Sequence, residues 1–88
     1  MDRVKGKVAI VTGGAQRVGR TICLILAREG AKVAVVDVED AAGEAVAAEV
    51  REHGGQARYW HLDVRRESEV SRVVGEVAGH FGGVDVLV

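Results

Sequence analysis

The chain alternates two hydrophobic periods, and that alternation limits what it can fold into. Val8-Ala9-Ile10-Val11 and Val33-Ala34-Val35-Val36 are apolar runs without a polar interruption. Such runs suit strands buried on both faces, as in a parallel sheet. A third strand fits residues 57–62, and a fourth begins at Val84-Asp85-Val86-Leu87-Val88. Helical stretches separate them. In the last, Val70, Val73, Val74, Val77, Ala78 and Phe81 fall at i, i+3, i+4, i+7, i+8 and i+11, one continuous helix face. The middle helix covers about residues 40–53, with a thinner stripe of Ala42, Val46 and Val50 and with Asp40 as N-cap. The first covers about residues 16–29 and is apolar nearly all round at 22–27, which predicts deep burial.

Each helix is followed by glycine: Gly30, Gly54-Gly55 and Gly82-Gly83. Glycine just past a helix end takes the left-handed conformation that closes the last turn. The element order is therefore β-α-β-α-β-α-β. Right-handed crossovers turn that order into an α/β fold, the amino-terminal half of a Rossmann-type doubly wound parallel sheet with strand order 3-2-1-4. Ligands of such sheets bind at the carboxyl edge of the first strand, where the winding reverses.

The 88 residues allow one domain. A net charge of −1 gives no electrostatic reason to bind nucleic acid or an anionic membrane. Cys23 is the only cysteine, so no intrachain disulfide can form, and a reduced, cytoplasmic setting is expected. No targeting segment is evident, and the apolar runs fall well short of the roughly 18–20 residues that span a bilayer. Cys23 reads as a small core residue. His53, His61 and His80 have no ligand-like spacing and read as helix-end or surface residues; no metal site is expected.

Thr12-Gly13-Gly14-Ala15-Gln16-Arg17-Val18-Gly19 joins the first strand to the first helix. A strand turning through glycines into a helix aims free backbone N–H groups and the positive end of the helix dipole at one point, which suits phosphate. Gly13 stands where the chain must turn sharply and let a ligand approach. Gly19 lies inside the helix, at a cost of about 1 kcal/mol relative to alanine, and predicts close approach of the sheet or a pyrophosphate. The bland alternative is a plain turn and a packing glycine. Asp37 ends the second strand, 24 residues after Gly13. That is near the roughly 20-residue spacing of an acid that hydrogen-bonds a ribose 2′-hydroxyl. A carboxylate there accepts from both adenosine-ribose hydroxyls and repels a 2′-phosphate, and no basic residue follows in Val38-Glu39-Asp40. NAD is therefore favoured over NADP. The alternative is that Asp37 only helps start the next helix. Asp63-Val64, after the third strand, offers a carboxylate and an amide to the edge of adenine, although Asp in this place is commonly a turn residue. Arg65 and Arg66 oppose the dipole of the last helix, partly offset by Glu67 and Glu69, and read as a solvated surface.

Together these residues resemble the short-chain dehydrogenase/reductase family. Thr12-Gly13-x-x-x-Arg17-Val18-Gly19 looks like its Thr-Gly-x-x-x-Gly-x-Gly loop, Asp37 matches its NAD-selecting acid, and Leu62-Asp63-Val64 matches its adenine-binding step. Val84-Asp85-Val86-Leu87-Val88 resembles the strand leading to its Asn-Asn-Ala-Gly segment. The resemblance implies that residues 1–88 are the amino-terminal part of an NAD(P)-binding domain, broken off in the fourth strand. It implies a cofactor site of Gly13, Gln16, Arg17, Val18, Gly19, Asp37, Val38, Asp63 and Val64. For the complete enzyme it implies NAD(H) as cofactor, a small alcohol or ketone as substrate, and a homo-oligomer.

Two departures stand out. Arg17 replaces the middle glycine, as in the family's pteridine-reductase-like members, a branch that mostly prefers NADP. Its guanidinium would lie near the pyrophosphate or overhang the substrate cleft, or be merely solvated. The family's catalytic Ser, Tyr-x-x-x-Lys and Asn lie beyond its fourth strand. Tyr59 is followed four residues later by Asp63, and the lysines are Lys5, Lys7 and Lys32, so no catalytic role is assigned. Two alternatives remain: an inert dinucleotide-binding fragment, whose bare fourth strand predicts self-association, or a phosphate-loop nucleotidase. The latter would read Gly14-Ala15-Gln16-Arg17-Val18-Gly19-Arg20-Thr21 as its loop, with Arg20 for the lysine and Asp37 near magnesium.

Overall fold

The valine-rich runs form the centre of a four-stranded parallel sheet. The structure, a computed structural model, describes residues 4–88. Its elements are β1 (Val8–Thr12), α1 (Arg17–Arg28), β2 (Lys32–Asp37), α2 (Asp40–Glu52), β3 (Gln56–His61), α3 (Glu67–Phe81) and β4 (Val86–Leu87). The sheet order is β3-β2-β1-β4, with every pair parallel. The Rossmann-type 3-2-1-4 arrangement is thus the one found.

Alternate residues of each strand feed two separate cores. Val11, Val33, Val35 and Ala57 pack with Cys23 of α1 and with Val46, Ala47 and Val50 of α2. Val8, Ile10, Ala34, Val36 and Trp60 pack on the opposite face with Val73 and Val77 of α3. Val33, Val35 and Val36 are fully buried. Each such side chain stabilises the fold by roughly 1.5–3 kcal/mol. Gly82, at φ 92°, closes α3 by donating its N–H to the Ala78 carbonyl.

Three expectations need correction. First, α1 is not deeply buried. Only Gly19 and Cys23 are buried on it, and Ile25 is 44% exposed. The sheet covers one side of this helix, while Leu24 and Ile25 line an open groove of about 410 Å³ shared with Val50 and His53. Second, Asp40 is the first residue of α2 rather than its cap. Glu39 holds the cap position without a side-chain hydrogen bond. The Asp40 carboxylate turns to β3, where its Oδ1 lies 2.6 Å from the Tyr59 hydroxyl and 2.6 Å from His61 Nδ1. Third, regular β4 is only two residues long. The pairing nevertheless continues on either side, because Asp85 N donates to Val8 O and Thr12 N to Val88 O, at 2.9 and 3.1 Å.

The register levels the carboxyl ends of the strands. Thr12 lies beside Val36, and Val36 beside Trp60. Gly13, Asp37 and Leu62-Asp63-Val64 therefore leave the sheet from one edge. No helix among the described residues is long and apolar enough to cross a membrane.

Candidate cofactor site

The loop after β1 holds its shape by backbone overlap that only glycine permits. Gly13 takes φ 66°, in the left-handed region. A Cβ on Gly19 would overlap the Gly13 carbonyl oxygen and crowd Gly14. The close approach expected at Gly19 is therefore to the loop's own backbone. Gln16 stands as N-cap of α1 without a side-chain cap bond. The first intrahelical bond is Arg20 N to Gln16 O at 2.7 Å. The amides of Arg17, Val18 and Gly19 consequently have no acceptor among the described residues. Orphan donors at a positive dipole end suit an anion.

Asp37 is 5% exposed and anchors this loop. Its Oδ2 accepts Ala15 N–H at 3.0 Å, and its Oδ1 accepts Val38 N–H at 2.7 Å and Glu39 N–H at 3.1 Å. The two readings of Asp37 therefore coexist: it shapes the turn into α2 and stands in the cleft. A carboxylate offers about four lone-pair sites. Three are taken, so Oδ2 keeps room for one ribose hydroxyl rather than both.

Tyr59 supports the same turn from below. Its hydroxyl lies 2.8 Å from the Asp37 carbonyl oxygen, which also accepts Leu62 N–H at 3.0 Å. With one proton, the hydroxyl donates either there or to Asp40. Burial and the Asp40 carboxylate push the Tyr59 phenol well above its usual range, so it stays protonated. The Tyr59 hydrogen bond, then His61, hold the Asp40 carboxyl below the usual carboxylate range.

Thr12, Gly13, Val36, Asp37, Val38, Leu62, Asp63, Val64 and Arg65 line one cleft of about 410 Å³. Val38 and Val64 are 50% and 55% exposed; Val38 follows Asp37, the last residue of β2, and Val64 follows Asp63, two residues past β3. Two open apolar side chains beside polar groups make a slot for a flat ring. The Asp63 carboxylate is clamped by Arg65, and this pulls its pKa down to about 2.

Of the residues expected in a site, Gly13, Asp37, Val38, Asp63 and Val64 share this cleft. Gln16, Arg17 and Val18 are exposed at the start of α1, outside the cleft lining. No ion pair of Arg17 occurs among the described residues. Arg20, which the nucleotidase alternative needs at the phosphates, instead pairs with Glu49 of α2. Cys23 is fully buried, and burial pushes its thiol up to about 12, as suits an inert core residue. Sequence reasoning missed the Ala15–Asp37 bond, the Tyr59 brace and the Arg65 clamp. The Asp63-x-Arg65 spacing was a usable signal for the last, since aspartate commonly bonds the backbone two residues on.

Comparison with known proteins places the chain among relatives of the same fold. The family model described as short chain dehydrogenase matches residues 7–88. Cyclopentanol dehydrogenase of a Comamonas species is 42% identical over 88 residues, covering 100% of this chain and 35% of that protein. The crystal structure of NAD+-bound xylitol dehydrogenase superposes with a TM-score of 0.92 at 39% identity, covering 97% of this chain and 33% of that one. Hydroxysteroid dehydrogenase from Escherichia coli gives a TM-score of 0.92 at 35% identity, covering 97% and 36%. The chain thus spans about a third of the length of the relatives it matches.

Proposed function

Because the chain belongs to the short-chain dehydrogenase family, we propose that it forms the cofactor-binding part of an oxidoreductase acting between a small secondary alcohol and its ketone, with NAD preferred to NADP. The observation that carries this reading is the convergence of Gly13, Asp37 and Asp63-Val64 on one cleft at the carboxyl edge of the sheet. The free amides of Arg17, Val18 and Gly19 would hold the pyrophosphate. Asp37 Oδ2 would accept one adenosine-ribose hydroxyl, and its buried negative charge disfavours a 2′-phosphate. Val38 and Val64 would flank the adenine. Arg17 would reach the pyrophosphate from the first turn of α1. When bound, the nicotinamide supplies hydride transfer; the residues described here would bind and orient the cofactor. Homo-oligomeric assembly and a cytoplasmic setting belong to the same proposal, supported by the family likeness and by the lone buried cysteine.

The test is a titration of the isotope-labelled chain with NADH and NADPH, followed through its backbone amide resonances. The expected result is saturable shifts at Arg17, Val18, Gly19 and Val64, with NADH the tighter ligand. Absence of shifts at these amides overturns the cofactor site, for this reading and for the inert dinucleotide-binding alternative alike. Tighter binding of NADPH overturns the assignment of Asp37.

A further inference from the structure

Asp63 has little room left for a ligand. Its Oδ1 accepts the Arg65 backbone N–H and Nε–H, both at 3.0 Å, and its Oδ2 accepts Nη2–H at 2.8 Å. Of about four lone-pair sites, one remains, on Oδ2. A guanidinium carries five N–H donors. Two of the Arg65 donors engage Asp63, so three remain, on a side chain that is 87% exposed and lines the cleft. The Val64 amide has no acceptor among the described residues. The polar edge of the slot therefore presents an amide donor, one carboxylate acceptor and, beside it, a guanidinium donor.

A carboxylate and an amide alone would select a 6-aminopurine. The 6-amino group donates to the carboxylate and N1 accepts from the amide. A 6-oxopurine reverses both groups, placing oxygen against carboxylate and N1–H against N–H. The Arg65 guanidinium relieves that conflict: the 6-oxo group accepts from Nη2–H, N1–H donates to Asp63 Oδ2, and the amide of Val64, a 55% exposed residue, turns to water. Exposed ion pairs exchange partners with water at little cost, so the guanidinium can pivot to do this.

We propose that Arg65 is a specificity-determining residue of the base slot, and that it lets this chain take a 6-oxopurine dinucleotide about as readily as the 6-amino one. The proposal rests on the cofactor reading above.

The experiment compares NAD+ with nicotinamide hypoxanthine dinucleotide on the same chain, by amide-resonance titration, in the natural sequence and in Arg65→Ala. The natural chain should bind the two within about threefold of each other. Arg65→Ala should turn this into a preference for NAD+ of about tenfold, the factor that one unsatisfied hydrogen-bonding group produces. A strong NAD+ preference already present in the natural chain overturns the role of Arg65 and leaves the cofactor reading intact. Equal binding in both proteins also overturns it, because the base edge is then not read. Failure of both dinucleotides to bind overturns the cofactor reading and this proposal together. Because Arg65 is exposed, the variant should keep the natural amide spectrum away from the cleft.

Discussion

The Asp85 carboxylate accepts the Val8 backbone N–H at 2.9 Å, across 77 positions of sequence. Val8 is 3% exposed, so its amide has no water to turn to. The same aspartate donates its own N–H to the Val8 carbonyl. A single residue thus ties both polar groups of Val8 and fixes where β4 joins β1. Asp85→Ala should cost about 1–2 kcal/mol by leaving a buried donor unsatisfied. Urea unfolding checks this, and an unchanged midpoint would sink the idea.

Asp37 gathers three backbone amides in addition to any ribose hydroxyl. Asp37→Ala should therefore lower stability by about 2 kcal/mol or more. It should also reduce the preference for NADH over NADPH by roughly tenfold, equivalent to about 1.4 kcal/mol. Thermal melts and paired titrations read the two effects separately. Loss of cofactor preference at full stability would mean that the amide bonds contribute nothing.

Gly43 of α2 lies against the Tyr59 ring so closely that a Cβ would overlap it. Gly43→Ala should destabilise by roughly 1–3 kcal/mol despite alanine's better helix propensity. Tyr59→Ala removes the obstacle, so the double variant should be more stable than the two single losses added together. A double-mutant cycle measures that coupling. Strict additivity would show that the ring moves aside freely.

The Arg65 clamp holds the Asp63 carboxyl at about 2, against roughly 3.9 for an unperturbed aspartate. A depressed carboxyl stabilises the fold fully above the unfolded value, and that contribution disappears as pH falls from about 4 toward 2. In Arg65→Ala the Asp63 carboxyl should titrate close to its ordinary value. Carbon-13 resonance titration of the side chain follows this directly. A midpoint unmoved by the substitution would assign the shift to something other than the guanidinium.

Much of the fold was legible because it is written in short-range patterns. The uninterrupted runs of Val33 and its neighbours signal a strand covered on both faces, and the Val73/Val77 stripe signals a helix on one of them. Position within the sheet follows from connectivity rules, so the common edge shared by Gly13, Asp37 and Asp63 could be anticipated. What escaped depends on contacts between distant side chains. Residues 22–27 carry an apolar composition that says burial, yet exposure is set by what lies alongside, and Ile25 faces an open groove. Asp40 has the chemistry of a cap, but Tyr59 and His61 compete for its carboxylate and win. Arg65 looks like a solvated cation until the turn after β3 brings its side chain back onto Asp63.

The sheet order also sets a schedule for synthesis. β1 is an inner strand, with β2 on one side and β4, the last of the four described strands, on the other. A ribosome delivers β2 soon after β1. At about 5–20 residues per second, the stretch from Asp37 to Val88 then takes roughly 3–10 s to emerge. Throughout that interval the nascent chain presents the other side of β1 without its hydrogen-bonding neighbour. Asp85 is the residue whose arrival ends the wait, because it catches Val8 by backbone and side chain at once.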